Sequence, residues 1–269
     1  MEHPQSRTHT ERWDAAATTF RIFVPEAEPE KVAAVFARRL GPLGTFAFET
    51  VGDMWNRPQL SRRDRSLLVV STLAAQARDE ELVGHTQIAL RHGLTQVEIE
   101  EILPMVAAYA GFPAAMAAAR HVAVGLRLGL GVERLPPRTG ARPLDDQQRD
   151  ANASLASVVV NHGLASAEEV LVDLIDRLGH VGEVAFRWGF GEVWSRPELC
   201  PRDRSIVVIA ILTTLGAEAS LADHVAAGLD HGLEAEEILE VISHLTLYAG
   251  IARATAAMLV AKDVLADQP

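Results

Sequence analysis

Two histidines, His85 and His224, are the residues of this sequence best suited to chemistry. His85 lies three residues after Leu82 and four before Ala89, so the three share one face of a helix and the ring is expected to point inward. Burial and neighbouring charges can bring an imidazole pKa to the range in which it serves as a general acid or base. The alternative is a buried histidine that bonds to a carbonyl and has only a structural role.

Two arginines, Arg65 and Arg204, lie in matching R-D-R-S segments. The planar guanidinium donates in a fixed fork that suits a carboxylate, so each could clamp an anionic substrate, with Arg57 and Arg196 nearby. The alternative is that each arginine, at the start of an apolar helix, pins the carboxylate of a loop residue. The predicted catalytic residues are therefore His85, Arg65, His224 and Arg204.

Aromatic residues recur beside these groups. Trp55 and Trp194 are interpreted as core or pocket walls, and Tyr109 and Tyr248 as donors into a pocket or as half-buried tyrosines. The predicted substrate-binding residues are Trp55, Arg57, Tyr109, Trp194, Arg196 and Tyr248.

Other polar residues are predicted to have simpler roles. His92 and His231 precede a glycine in the last turn of a predicted helix, where the helix dipole favours a cation, so both are interpreted as caps. Glu101 and Glu240 lie opposite the apolar stripe of their helix and are expected to face solvent.

Metal and cofactor sites find no support in the sequence. The single cysteine, Cys200, excludes an internal disulfide, a CxxC pair and a cysteine-based metal site. No HExxH occurs, and His85 and His92 are two helical turns apart, roughly 10 Å. The glycines form no phosphate-binding loop. We therefore predict that the protein uses neither a metal nor a cofactor.

The sequence contains two copies of one unit. At a fixed offset of 139 residues, 27 of the 75 positions from Gly52 to Leu126 are identical to their counterparts from Gly191 to Leu265, including both catalytic histidine and arginine pairs. Between the copies, 131–150 is rich in Pro, Arg and Asp and lacks periodicity, as linkers do. The predicted organisation is a first domain at 20–130, a linker at 131–150 and a second domain at 151–266.

The elements that must position these residues are predicted to be helical. Ser61 is an N-cap candidate for a helix from Arg62 to about Ala77, and the corresponding segment IVVIAIL, although β-branched, is interpreted as a buried helix because Cys200-Pro201 precedes it. A second helix is predicted from Glu80 to His92. Thr95-Gln-Val-Glu98 is a capping box that opens a third, and an Ala-rich helix follows to Leu126. Further helices are expected near Glu30–Arg39, Phe46–Met54, Gln147–Asn161 and Ala167–Leu178.

Composition and charge narrow the class of protein. The chain has 269 residues, is 48% hydrophobic and has a net charge of −11, which is typical of a globular protein and argues against nucleic-acid binding. Its apolar runs are too short to span a membrane, and Met1 to Thr19 lack the apolar stretch of a signal peptide. We expect a cytoplasmic protein without a membrane partner and with a frayed N-terminus.

The combined motifs resemble the carboxymuconolactone decarboxylase family. The pattern W-x-R-P-x-L-S-x-R-D-R-S at Trp55–Ser66 is followed by E-L-x-x-H at Glu81–His85 and by Y-A-G-F-P-A-A at Tyr109–Ala115. The resemblance implies an all-α fold of two tandem alkylhydroperoxidase-like domains, assembled into a homo-oligomeric ring. It also implies a cofactor-independent decarboxylation or isomerisation of a small, anionic, carboxylated lactone or a related enolisable acid.

Two departures qualify this resemblance. The alkylhydroperoxidase branch has a CxxC before its histidine, and here Arg78 and Glu81 stand at the two cysteine positions of the first copy, which argues against thiol peroxidase chemistry. The second copy replaces Y-A-G-F-P by Tyr248-Ala-Gly-Ile-Ala, so it is either a working site or a structural copy. The competing interpretation of the whole chain is a non-catalytic helical assembly or ligand-binding protein.

Overall fold

The computed structural model describes residues 8–135 and 167–266, and within these ranges the secondary structure is helical, without strands. The all-α prediction is confirmed. The chain divides into two compact units, of which the first ends at Arg65 and the second begins at Ser66. The predicted helix Gln147–Asn161 and most of the predicted linker lie outside the described residues.

The first unit is built from three helices, α1 (His9–Phe23), α2 (Pro29–Leu40) and α3 (Pro42–Trp55). Its core is aromatic: Phe20 of α1 stacks on Phe48 of α3 with 4.6 Å between ring centroids. A Cβ atom on Gly52 would lie 2.2 Å from Cα of Ala16, so glycine is required for α1 and α3 to approach this closely.

The expected frayed N-terminus does not extend to the residues from Thr8 onward, and residues 1–7 lie outside the described range. Helix α1 begins at His9, and Thr8 and Glu11 form a capping box in which each side chain bonds to the other residue's backbone N–H. The T-x-x-E signal and the apolar spacing of Trp13, Ala16 and Phe20 were present in the sequence.

The second unit contains the remaining helices. Helix α4 (Arg62–Ala75) begins in the first unit and continues into the second. It is followed, in chain order, by α5 (Asp79–Arg91), α6 (Gln96–Ala110), α7 (Phe112–Leu130), α8 (Ala167–Leu178), α9 (His180–Val184), a π-helix (Ala185–Trp194), α10 (Pro201–Leu215), α11 (Glu218–Asp230), α12 (Ala235–His244) and α13 (Ile251–Ala266).

Helices α4 to α7 of the first repeat recur as α10 to α13 of the second. The segment IVVIAIL lies in α10, where every residue from Asp203 to Thr214 is buried, which confirms the prediction of a buried helix over a strand. Burial on all sides explains why this segment has apolar residues throughout rather than a helical stripe.

Several predicted helix ends are confirmed. The Ser61 hydroxyl accepts a hydrogen bond from the Asp64 backbone N–H, and Thr95 and Glu98 form the expected capping box. Helix α5 ends at Arg91 with His92 as its C-cap, and Gly93 follows with φ +93°, a backbone angle that favours glycine. Cys200 lies at the N-cap of α10, but its side chain makes no capping bond.

The helix that ends at Trp194 is of a different type from the matching helix of the first repeat. Trp55 ends an α-helix, α3, whereas Trp194 ends the ten-residue π-helix from Ala185. Segments of π-helix are rare and are frequently found at functional sites. No helix in the described ranges combines the length and apolar character needed to cross a bilayer.

Candidate active site

The site is centred on His224, in α11, and on Tyr109, near the end of α6. The Tyr109 Oη atom lies 3.1 Å from Nε2 of His224, and the two rings meet edge to face with 5.3 Å between centroids. The sequence separation is 115 residues, so one residue comes from each repeat. The two repeats thus build this site jointly, within the second unit.

Trp194 completes the group. Its Nε1–H donates to Oη of Tyr109 at 2.7 Å, and its ring stacks on His224 with 5.5 Å between centroids and 10° between planes. Trp194 is only 7% exposed. The structure therefore brings together three residues predicted from the sequence, which are His224, Tyr109 and Trp194.

Both titratable members of this group are neutral at pH 7, and burial favours the neutral form of each. Desolvation, with a smaller contribution from His231, lowers the pKa of His224 to about 4. Burial raises the pKa of Tyr109 well above its usual range, although the hydrogen bond from Trp194 opposes this shift. His224 is 6% exposed, and its Nδ1 atom has no hydrogen-bond partner among the described residues.

Arg196 is held by a protein carboxylate. Its Nε and Nη2 atoms donate to the two carboxylate oxygens of Glu101 at 2.6 and 2.9 Å, and Nη1 donates to Glu192 at 3.0 Å. The hydrogen bond to Glu101 raises the pKa of Arg196 further above its normal value. The expectation that Glu101 and Glu240 face solvent was wrong, because they are 0% and 2% exposed. Both repeats have glutamate at this position, and this was the sequence signal that could have indicated a buried role.

Arg204 bonds to the backbone of the loop that precedes its helix. The guanidinium is 1% exposed and donates to the carbonyl oxygens of Leu199 at 3.1 Å, Val193 at 2.9 Å and Arg196. Burial lowers the pKa of Arg204 to about 10, which still leaves it a cation at pH 7. These contacts match the structural alternative, in which the arginine pins a loop, except that the acceptors are carbonyls rather than a carboxylate.

The matching residues of the first repeat lie in the first unit. Arg65 is 0% exposed, and its Nη2 atom donates to the Arg57 carbonyl at 2.7 Å, as Arg204 does to Arg196. Trp55 is 1% exposed and packs edge to face on Phe23, with 4.8 Å between centroids. Each of these three predicted residues is thus part of the packing of its own unit.

A second histidine–tyrosine pair mirrors the first. The half-buried His85 of α5 meets Tyr248 of the second repeat edge to face at 5.6 Å, and burial, followed by the charge of His92, lowers its pKa to about 4. His244 stacks on Tyr248 at 5.7 Å, and Nε2 of Gln76 donates to the Tyr248 carbonyl at 3.1 Å. Sequence reasoning missed His244, since the first repeat has Met105 at that position.

The two capping histidines, expected to interact with the helix dipole, each lie within hydrogen-bond distance of a serine hydroxyl. Nδ1 of His92 lies 2.7 Å from the Ser66 hydroxyl, and Nδ1 of His231 lies 2.8 Å from the Ser205 hydroxyl. Both residues stand at helix C-caps as predicted. Burial lowers the pKa of His231, against the opposing charge of Asp230, so this residue is a hydrogen-bonded ring rather than a cation.

A cavity of about 320 Å³ lies apart from both histidines, between α6 and α7. Its lining is mostly aliphatic and includes none of the predicted site residues. It is lined by Glu100, Leu103, Pro104, Ala119, Val122, Ala123 and Leu126.

Comparison with known proteins identifies one family and two named relatives. The model of the carboxymuconolactone decarboxylase family matches residues 46–124 and 180–263, once in each repeat. The 4-carboxymuconolactone decarboxylase of Acinetobacter baylyi is 44% identical over 81 residues, which are 30% of this chain and 60% of that protein. The nitrosuccinic acid decarboxylase npaB of Metarhizium robertsii is 39% identical over 67 residues, which are 25% of this chain and 47% of that protein.

A solved structure shares the fold. It comes from Burkholderia xenovorans and carries the provisional description of a gamma-carboxymuconolactone decarboxylase subunit. The match covers 98% of this chain and 100% of that one, with a TM-score of 0.52 and 18% sequence identity. The sequence matches to the two curated relatives span only about half of each relative's length.

Proposed function

Because this chain belongs to the carboxymuconolactone decarboxylase family, we propose that it is a decarboxylase of a small, carboxylated organic molecule. The proposed active site is the group formed by His224, Tyr109 and Trp194, with a second site at His85 and Tyr248. Both curated relatives are named as decarboxylases of small acids, which supports this reaction class.

The observation that carries the proposal is the state of His224. A buried imidazole that is neutral at pH 7 must hold one proton, and its Nδ1 atom lacks a hydrogen-bond partner among the described residues. An unpartnered buried polar atom is costly in a folded protein. A bound anionic substrate would supply the missing partner.

The chemistry requires no cofactor when the substrate carries its own electron sink. In a carboxylated lactone the bond between carbon and the carboxylate breaks, CO₂ leaves, and the electron pair moves into the conjugated lactone carbonyl to give a dienolate. A nitro group bonded to the carboxylate-bearing carbon would accept the pair in the same way, to give a nitronate. A hydrogen-bond donor aimed at the developing oxyanion stabilises this intermediate, and a proton must then be added at carbon. We assign this acid/base role to His224.

The arginines take a modified role in this proposal. A substrate clamp was expected from their forked geometry, but the donors of Arg204 bond to backbone carbonyls and Arg196 bonds to Glu101 and Glu192. We assign both arginines to holding residues 193–199, which are the end of the π-helix and the loop that follows it.

The competing function is a non-catalytic helical assembly protein. The observation that favours it is that the donors of Arg204 and Arg196 already bond to protein acceptors. The two functions differ in what they require of His224, since an assembly protein has no use for an unpartnered imidazole nitrogen.

The test is release of CO₂ from 4-carboxymuconolactone and from nitrosuccinate, measured with wild type, His224→Ala and His85→Ala. Loss of an acid/base group typically lowers the rate by about 10²- to 10⁴-fold. We expect a loss of this size for the site that works, and a loss of both activities in the double variant. The control is His180→Ala, because this histidine is 83% exposed in its side chain.

Two outcomes would count against the proposal. Full activity of folded His224→Ala would remove His224 from the mechanism. A wild-type protein that releases CO₂ from neither acid would contradict the proposed substrate class.

A further inference from the structure

Three side chains from the two repeats form one line of hydrogen bonds. The indole Nε1–H of Trp194 can only donate, so the Tyr109 oxygen accepts this bond at 2.7 Å. The phenol then has its own proton to give, and Nε2 of His224 lies 3.1 Å away. The geometry points to donation from Trp194 to Tyr109 and from Tyr109 to His224.

We propose that Tyr109 is a positioning residue which, oriented by Trp194, fixes His224 in the tautomer that carries its proton on Nδ1. The partner of one ring nitrogen determines which nitrogen is protonated. With Nε2 accepting from Tyr109, the ring offers an N–H at Nδ1, rather than a lone pair, to a bound molecule. This inference rests on the proposed function for its purpose, but the tautomer itself exists without substrate.

The role differs from the one expected of these aromatic residues, which was direct contact with substrate. Tyr109 has both its acceptor and its donor engaged by protein groups, and Trp194 covers the face of the His224 ring. The surroundings of the mirrored Tyr248 differ, because His244 stacks on it where the first repeat has Met105. Tyr248 therefore provides a matched control, because its ring contacts are with His85 and His244.

The test is the protonation pattern of the His224 ring at pH 7, read by nitrogen NMR of the full chain with ¹⁵N-labelled histidine. The His224 signals are assigned by their loss in His224→Gln. Wild type should show a protonated Nδ1 and an unprotonated Nε2. Tyr109→Phe removes the donor to Nε2 and should shift the dominant proton from Nδ1 towards Nε2. Trp194→Phe frees the Tyr109 oxygen to accept and should cause a partial shift, whereas Tyr248→Phe should leave the His224 signals unchanged.

A wild-type ring protonated on Nε2 overturns the inference, and this measurement needs only the His224→Gln variant that assigns the signals. An unchanged tautomer in a Tyr109→Phe protein with native circular dichroism overturns it as well. Absence of decarboxylation with the expected tautomer would reject the proposed function and leave the inference standing. The converse result, activity with an Nε2–H ring, would reject the inference alone.

Discussion

At the scale of single residues, the fold holds two histidines in the neutral form, His224 buried and His85 half-buried. The pKa of both His85 and His224 is lowered to about 4 by burial. In each case a tyrosine from the other repeat lies against the ring, so desolvation is coupled to a contact between repeats. The same burial that makes a histidine chemically useful makes the fold sensitive to acid.

This coupling predicts a pH dependence of stability. The pKa of His224 is about 4 in the folded chain, whereas an exposed histidine of the unfolded chain has a pKa of 6.5. Between pH 4 and pH 6.5 the unfolded chain therefore binds more protons than the folded chain. The free energy of unfolding should be unaffected above about pH 6.5 and should fall as the pH is lowered towards 4. A pKa difference of this size corresponds to a loss on the order of 3 kcal/mol once the pH reaches about 4.

The measurement is urea denaturation at a series of pH values for wild type and His224→Gln. The variant should lose part of the decline between pH 6.5 and 4. The exposed His180→Gln should follow wild type. Identical pH profiles for His224→Gln and wild type would contradict the burial of a neutral imidazole at this position.

At the scale of elements, helices α5 and α7 pack so closely that a glycine is needed between them. A Cβ atom on Gly125 would lie 2.6 Å from Cβ of Thr86 and 2.7 Å from the Val83 carbonyl oxygen. Gly84, on α5, would place a Cβ in open space. These two glycines share a helical setting and differ in their neighbours.

Alanine at the two positions should therefore act in opposite directions. Gly84→Ala should stabilise the chain by roughly 0.5–1 kcal/mol, because alanine is the better helix former. Gly125→Ala should destabilise it by about 1–3 kcal/mol, since overpacking outweighs the same propensity gain. Thermal unfolding of the two single variants checks this contrast, and a stabilised Gly125→Ala would disprove the close packing of α5 on α7.

Much of the helical architecture could be predicted because its signals are local. The capping box at Thr95 and the N-cap at Ser61 lie within three residues of the groups that they bind. The contact between Tyr109 and His224 spans 115 residues, so no local pattern could reveal it. The π-helix that ends at Trp194 was not predicted either. The corresponding residues of the first repeat form an α-helix, so comparison of the repeats gives no sign of it.

Charged residues were predicted less well than apolar ones. The position of Glu101 opposite an apolar stripe indicated solvent, yet its carboxylate is fully buried against Arg196. Arg204 was considered for substrate binding, and its donors bond to backbone carbonyls. A helix wheel shows which face is apolar, but not that a polar face is covered by a loop carrying its partner.

At the scale of the whole molecule, apolar side chains remain exposed at matching positions of the repeats. Phe112 and Ile251 are the first residues of α7 and α13, and they are 72% and 75% exposed. Met116, one turn after Phe112, is 62% exposed. Large exposed apolar groups of this kind are typical of interaction surfaces. These exposed side chains support the homo-oligomer that we predicted from the sequence.

We expect wild type to form a species larger than the 29.1 kDa chain in size-exclusion chromatography with light scattering. The double variant Phe112→Glu/Ile251→Glu should shift the distribution to smaller species. Val97→Glu is the matched control, because Val97 is exposed and the second repeat already has Glu236 at that position. A strictly monomeric wild type would contradict the prediction.

The exchange of tyrosines between repeats has a consequence for how this molecule can evolve. In an assembly of identical single-repeat chains, every substitution enters all equivalent sites at once. Here Tyr109 serves His224 and Tyr248 lies against His85, and each can be altered separately by inheritance. Met105 and His244 already occupy one matched position with different chemistry. Covalent fusion thus frees two sites with a common ancestor to specialise, while keeping their numbers equal in every molecule.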